Sequence, residues 1–127
     1  MTCEEFNQKF YSVFKDAMYC AEKARRYGLL SVEEDLDKHE FEWVKRDVFW
    51  YGMRFAIDGT DTDLIDKILS NLIDLCEDDY SKKLQTIKKE AVLSIQRGDN
   101  PRILFAIINS YSDLPLDDPL TKEIFDG

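Results

Sequence analysis

Apolar side chains recur at three- and four-residue steps along most of the chain, the period of helices with one buried face. From Phe6, a stripe of Phe10, Val13, Phe14, Ala17, Met18, Ala21 and Ala24 predicts a helix over residues 3–27. Thr2 and Glu5 have the spacing of a capping box at its start. Residues 23–33, Lys-Ala-Arg-Arg-Tyr-Gly-Leu-Leu-Ser-Val-Glu, read as the end of that helix and the beginning of another. Lys23, Arg25 and Arg26 suit the negative end of a helix dipole, and Gly28 suits the left-handed residue that closes it. Leu29 and Leu30 are then expected in the core, with Ser31 and Glu34 as a second capping box.

A short acidic helix follows over residues 32–38, and a third over 42–57 with Phe41, Val44, Val48, Phe49, Met53 and Ile57 inward. Trp43, Trp50, Tyr51 and Phe55 add more aromatic surface than one helix face buries, so part of it should cover a neighbouring helix or a partner chain. Asp58-Gly59-Thr60-Asp61 is a turn with caps for the next helix. From Asp63 to Gln96 neither Gly nor Pro intervenes, and Leu64, Ile68, Leu72, Cys76, Tyr80, Leu84, Ile87, Ala91 and Ile95 make a nearly continuous stripe. This predicts one long helix near residues 63–97, about 50 Å at a rise of 1.5 Å per residue. The competing arrangement is a hairpin broken near Asp79, where Glu77, Asp78 and Asp79 repel and Ser81 offers a new start. Gly98-Asp99-Asn100-Pro101 stops one helix and starts another, which runs to about Tyr111. The expected architecture is all-α, a bundle of four to five helices over residues 1–114, with an acidic, weakly ordered tail over 115–127.

Charge and chemistry narrow the function more than the fold. The net charge of −9 excludes a general phosphate-binding surface and therefore nucleic acid as a partner. Basic pairs at residues 45–46, 82–83 and 88–89 and the group at 23–26 leave room for a local electropositive face toward an acidic protein. No stretch approaches the roughly 20 apolar residues of a membrane span, and Glu4 and Glu5 do not fit a secretion signal, so a cytoplasmic location is expected. Three widely spaced cysteines agree with free thiols in a reducing compartment. A single histidine, His39, rules out a histidine-based zinc site or catalytic triad, and it is expected at the surface. Asp58, Asp61 and Asp63 lack the loop length and closing Glu of an EF-hand and are read as caps. Without a Glu-x-x-His pair, a di-metal carboxylate enzyme is also disfavoured; no cofactor and no catalytic residue are expected.

Three segments resemble the cytoplasmic part of the flagellar-motor stator subunit of the MotA type. They are A-R-x-x-G-L-L-S-x-E from Ala24 to Glu33, G-x-x-x-x-I-D-G-T-D-x-x-L-I-x-x-I-L from Gly52 to Leu69, and A-V-L-S-I-Q-R-G-D-N-P-R-I-L from Ala91 to Leu104. They stand in the family's order, and I-Q-x-G-x-N-P-R is the most specific. Thr62 replaces the usual proline of the second segment. The two membrane helices that separate the second and third segments in the family are missing, so no ion pathway can be transferred. The resemblance implies a non-enzymatic stator-like protein that contacts the rotor protein FliG, or other motor components, through a charged helix corner. The family's Arg and Glu at that contact correspond to Arg25 and Glu33, with Arg26 and Glu34 beside them leaving the register open by one. A continuous helix over 63–97 would carry the tail away from its own loop, which implies a domain-swapped homodimer. The alternative function is a helical homo-oligomerisation or scaffold module with no motor role.

Overall fold

Side-chain caps mark where several of the helices begin. Thr2 accepts the Glu5 amide at 3.1 Å and opens α1 (Cys3–Tyr27). Its buried face carries Phe6, Phe10, Val13, Phe14, Ala17, Cys20 and Ala21, with Met18 and Ala24 packed at the margin. Gly28 ends it at φ 90° and ψ 157°, a backbone conformation open to glycine but not to a residue with Cβ, and its amide donates to the Ala24 carbonyl at 2.8 Å. A 3-10 turn (Leu29–Val32) leads into α2 (Glu33–Lys38) and α3 (Glu40–Val44). The longer elements α4 (Val48–Ile57), α5 (Thr62–Asp74), α6 (Asp79–Arg97) and α7 (Pro101–Asn109) complete the order. This computed structural model describes residues 1–113 and Leu116. Among the described residues there are seven α-helices and no strand, so the all-α expectation holds while four to five helices was too few. The tail expected over 115–127 lies, Leu116 apart, outside the described residues.

Both surplus helices come from breaks that periodicity does not reveal. The helix expected over 42–57 is cut at Lys45–Asp47, where Arg46 has φ 62° and Asp47 caps α4 by accepting the Trp50 amide at 3.1 Å. The cut resets the helical phase. Phe41 and Val44, expected inward, are 74% and 58% exposed, whereas Val48, Phe49, Met53 and Ile57 are buried as expected. Trp50 is buried, and Trp43, Tyr51 and Phe55 pack against the core of the same chain. His39 is not a free surface residue: its ring lies on that of Trp50, centroids 3.9 Å apart and planes 7° from parallel.

The single long helix near 63–97 is likewise absent. Amides of Leu75 and Cys76 bond to the carbonyls of Leu72 and Ile73 at 3.2 and 3.0 Å, the tightened i to i+3 pattern of a closing helix. Asp78 then accepts the Ser81 amide at 2.9 Å and the Ser81 hydroxyl at 2.6 Å, starting α6. The acidic run thus supplies the cap as well as the repulsion, and the cap is Asp78 rather than Ser81. α6 runs back antiparallel to α5: Lys89 meets Asp66 at 2.9 Å, and Gln96 meets Thr60 and Thr62 at 2.7 and 3.1 Å. Because the chain reverses within residues 75–78, the reason for a domain swap disappears.

α6 is the central helix, packed on by α1, α4, α5 and α7. Its residues Ala91, Val92, Leu93, Ser94 and Ile95 are all buried, so it is surrounded rather than one-faced there. Ser94, the buried polar member, donates to Asp99 at 2.7 Å. Gly52 lets α4 approach closely, since a Cβ there would stand 2.9 Å from methyls of Leu69 on α5 and Val92 on α6. At the opposite side Phe14 lies between Phe10 and Phe105, with ring centroids 5.4 and 5.0 Å away. Gly98 at φ 75°, the Asn100 side chain accepting the Arg102 amide at 2.9 Å, and Pro101 in the first turn make the expected stop and restart.

Candidate functional site

The corner between α1 and α2 is built around Lys23, one turn before the end of α1. Its ammonium donates to Asp35 at 2.8 Å and to Glu34, and it lies 5.8 Å from the centroid of the Tyr19 ring. The Lys23 and Asp35 side chains are only 14% and 10% exposed. The hydrogen bonds to Asp35 and then Glu34 hold the Lys23 ammonium well above its ordinary range, so the lysine stays charged throughout the physiological interval. Ser31 adds a neutral tie, its hydroxyl donating to the Gly28 carbonyl at 2.6 Å and more weakly to the Lys23 carbonyl at 3.4 Å. These contacts fix the direction in which α2 leaves α1. They also replace the expected capping box, because Ser31 belongs to the 3-10 turn and α2 starts from Val32 without a side-chain cap.

The 3-10 turn sorts the corner's side chains. Residues three apart eclipse in such a turn, so Leu29 and Val32 face the core together. Leu30, expected inside, is 70% exposed, and Tyr27 is 73% exposed. Arg25 and Glu33 are exposed, and among the described residues neither enters an ion pair. Each stands where a helix dipole favours its charge, Arg25 in the last turn of α1 and Glu33 in the first turn of α2. Arg26 pairs with Glu22 one helical turn earlier at 3.4 Å, and Glu34 is taken by Lys23. The four residues singled out in the sequence therefore divide: Arg25 and Glu33 are available to a partner, while Arg26 and Glu34 make local contacts. No family model, curated protein or solved structure matches the chain.

Sequence reasoning named Lys23 only as a helix-end cation and took Asp35 only as one of the acids of the short helix over 32–38. Nothing in one dimension links residues 12 apart across a glycine turn, although a lysine at a helix end facing an acidic first turn is a pairing worth testing. The exposed Tyr27 and Leu30 were missed because their apolar character points inward unless the turn type is known. Elsewhere, among the described residues, no group of three or more His, Cys, Asp or Glu could hold a metal ion. No helix of the described residues is long and apolar enough to cross a membrane.

Proposed function

We propose that this chain is a non-enzymatic docking domain of the MotA-stator kind, which engages an acidic and basic surface of a FliG-type rotor protein, or another motor component, through the α1–α2 corner. The observation that carries the reading is an exposed, unpaired arginine and glutamate held on either side of a turn that is itself clamped by Lys23, Asp35 and Ser31. Charges presented on a rigid corner steer encounter and set register, and they cost little ordering on binding. Tyr27 and Leu30 between them supply the apolar contact that desolvation of such a corner needs.

Support also comes from the positions of the three stator-like segments. Ala24–Glu33 forms the corner, Gly52–Leu69 covers the second half of α4, its following turn and the first two turns of α5, and Ala91–Leu104 closes α6 and opens α7. In the stator family loop and tail run antiparallel because membrane helices return the chain. Here the four-residue turn at 75–78 returns it, so one chain brings α5 and α6 side by side. The proposal accordingly requires no second copy.

Binding of a purified FliG-type rotor protein, followed by calorimetry at low salt and at about 0.5 M salt, tests the reading. At the higher salt the Debye length falls below about 5 Å and exposed pairs are screened. Saturable binding that weakens with salt and drops several-fold in Arg25→Glu is expected. Salt-independent affinity, or affinity unchanged in Arg25→Glu, contradicts it.

A further inference from the structure

The α1–α2 corner carries a cation and an anion that nothing nearby answers. Arg25 and Glu33 are exposed and enter no ion pair among the described residues, while the charges around them are matched locally: Arg26 with Glu22, and Lys23 with Asp35 and Glu34. Asp37 and Lys38, further along α2, are exposed and of opposite sign. Between the two unmatched charges the chain sets Tyr27 and Leu30, 73% and 70% exposed. An apolar centre with a charged rim is the anatomy of a protein interface.

Such a patch is complementary to itself. In a symmetric dimer both copies offer the same surface, so a patch of a single sign repels its mate. A patch with a cation on one side and an anion on the other instead pairs both charges at once, when the second copy is turned about an axis between them. The clasp of Lys23 with Asp35 and the tie of Ser31 to Gly28 hold the corner before it is covered, so little ordering is lost on contact.

We propose that a second copy of this chain covers the corner, Arg25 of each copy meeting Glu33 of the other, with the Tyr27 and Leu30 side chains of both closing together at the axis. So few side chains fall well short of the roughly 20–30 residues a side of a stable interface, so the dimer is weak and transient, with a dissociation constant on the order of 0.1 mM or above. The net charge of −9 on each copy opposes it at low salt. At about 0.15 M salt the Debye length is about 8 Å, which screens distant charges and spares those in contact. The dimer needs no rotor protein. It does close the corner to one, and that consequence, a docking surface withheld at high local concentration, rests on the docking reading.

The test is sedimentation equilibrium of the full chain in about 0.15 M salt, from about 10 μM to about 1 mM protein. The mass should climb from monomer toward dimer across that range. Arg25→Glu and Glu33→Arg should each weaken association at least about tenfold, because symmetry makes each substitution count at both contacts. Combining the two in one chain should restore association to within about threefold of the native chain. Mixing the two single variants in equal amounts should do the same, since the acidic corner of one then faces the basic corner of the other. A mass fixed at the monomer throughout, association unchanged in the single variants, or a double variant as weak as the singles would overturn the proposal. These results come from the chain alone, so they stand apart from the calorimetry with a rotor protein whichever way that falls.

Discussion

Replacing Gly52 with alanine probes the point where three helices meet. In a solvated helix this change stabilises by about 1 kcal/mol, because glycine carries the larger entropic cost. Here the new Cβ would lie 2.9 Å from Leu69 Cδ1 and from Val92 Cγ2, and 3.2 Å from Val92 Cγ1. Leu69 and Val92 are both completely buried, and valine in a helix has essentially one rotamer, so Val92 cannot turn aside. Overpacking of this kind costs about 2–3 kcal/mol at the upper end of its range, which outweighs the propensity gain and leaves a net loss of about 1–2 kcal/mol. For a chain of this size the thermal midpoint should fall by about 4–10 °C, measured by helical circular dichroism. In a Val92→Ala background the same substitution should cost about 1 kcal/mol less, the coupling expected of residues in contact. The experiment also addresses the hairpin. On a continuous helix residues 69 and 92 would stand about 35 Å apart, too far for both to touch Gly52. A Gly52→Ala protein as stable as wild type, or more so, would refute the reasoning.

The remaining predictions concern packing, titration and thiol access. Phe14→Ala removes a ring that is 1% exposed between Phe10 and Phe105, and should cost about 3–5 kcal/mol in urea unfolding, whereas Tyr27→Ala at the corner should change stability by no more than about 0.5 kcal/mol. Asp16→Asn should raise the thermal midpoint at neutral pH. A carboxyl whose folded value lies above its unfolded one binds more protons when folded, so its charge opposes folding at higher pH, and the benefit of the amide should vanish as pH falls below the unfolded value; a benefit that grows in acid would contradict the assigned direction. Burial, reinforced by Asp35 and Asp16, pushes the Cys20 thiol up to about 12, so in native buffer a thiol-reactive disulfide reagent should label exposed Cys3 at once and Cys20 only on unfolding.

What the sequence revealed and what it hid have different physical origins. The period of α1, the stop at Gly98 and the restart at Asn100-Pro101 are local and strong, and each is where the residues placed it. The breaks at 45–47 and 75–78 are different. There a helical phase continues through the one-dimensional pattern, and the decision falls to tertiary contacts. Asp47 serves both as the cap of α4 and as the partner of Lys88, 41 residues away, which rewards breaking the helix before it. At 75–78 the polar cap at Asp78 competes with helix continuation, and burial of α5 against α6 tips the balance toward the hairpin. The candidate corner was legible as a place and as a pair, Arg25 and Glu33. The clasp that makes it rigid, Lys23 to Asp35, was not, since it depends on the angle between two helices.

The most direct measurement of the docking reading is a map of backbone amide shifts in this chain as a FliG-type rotor protein is added. The largest perturbations should gather at residues 25–33, with the turn at 75–78 little affected. Perturbations centred elsewhere, or an unchanged spectrum at saturating partner, would contradict the assignment of the α1–α2 corner as the docking surface.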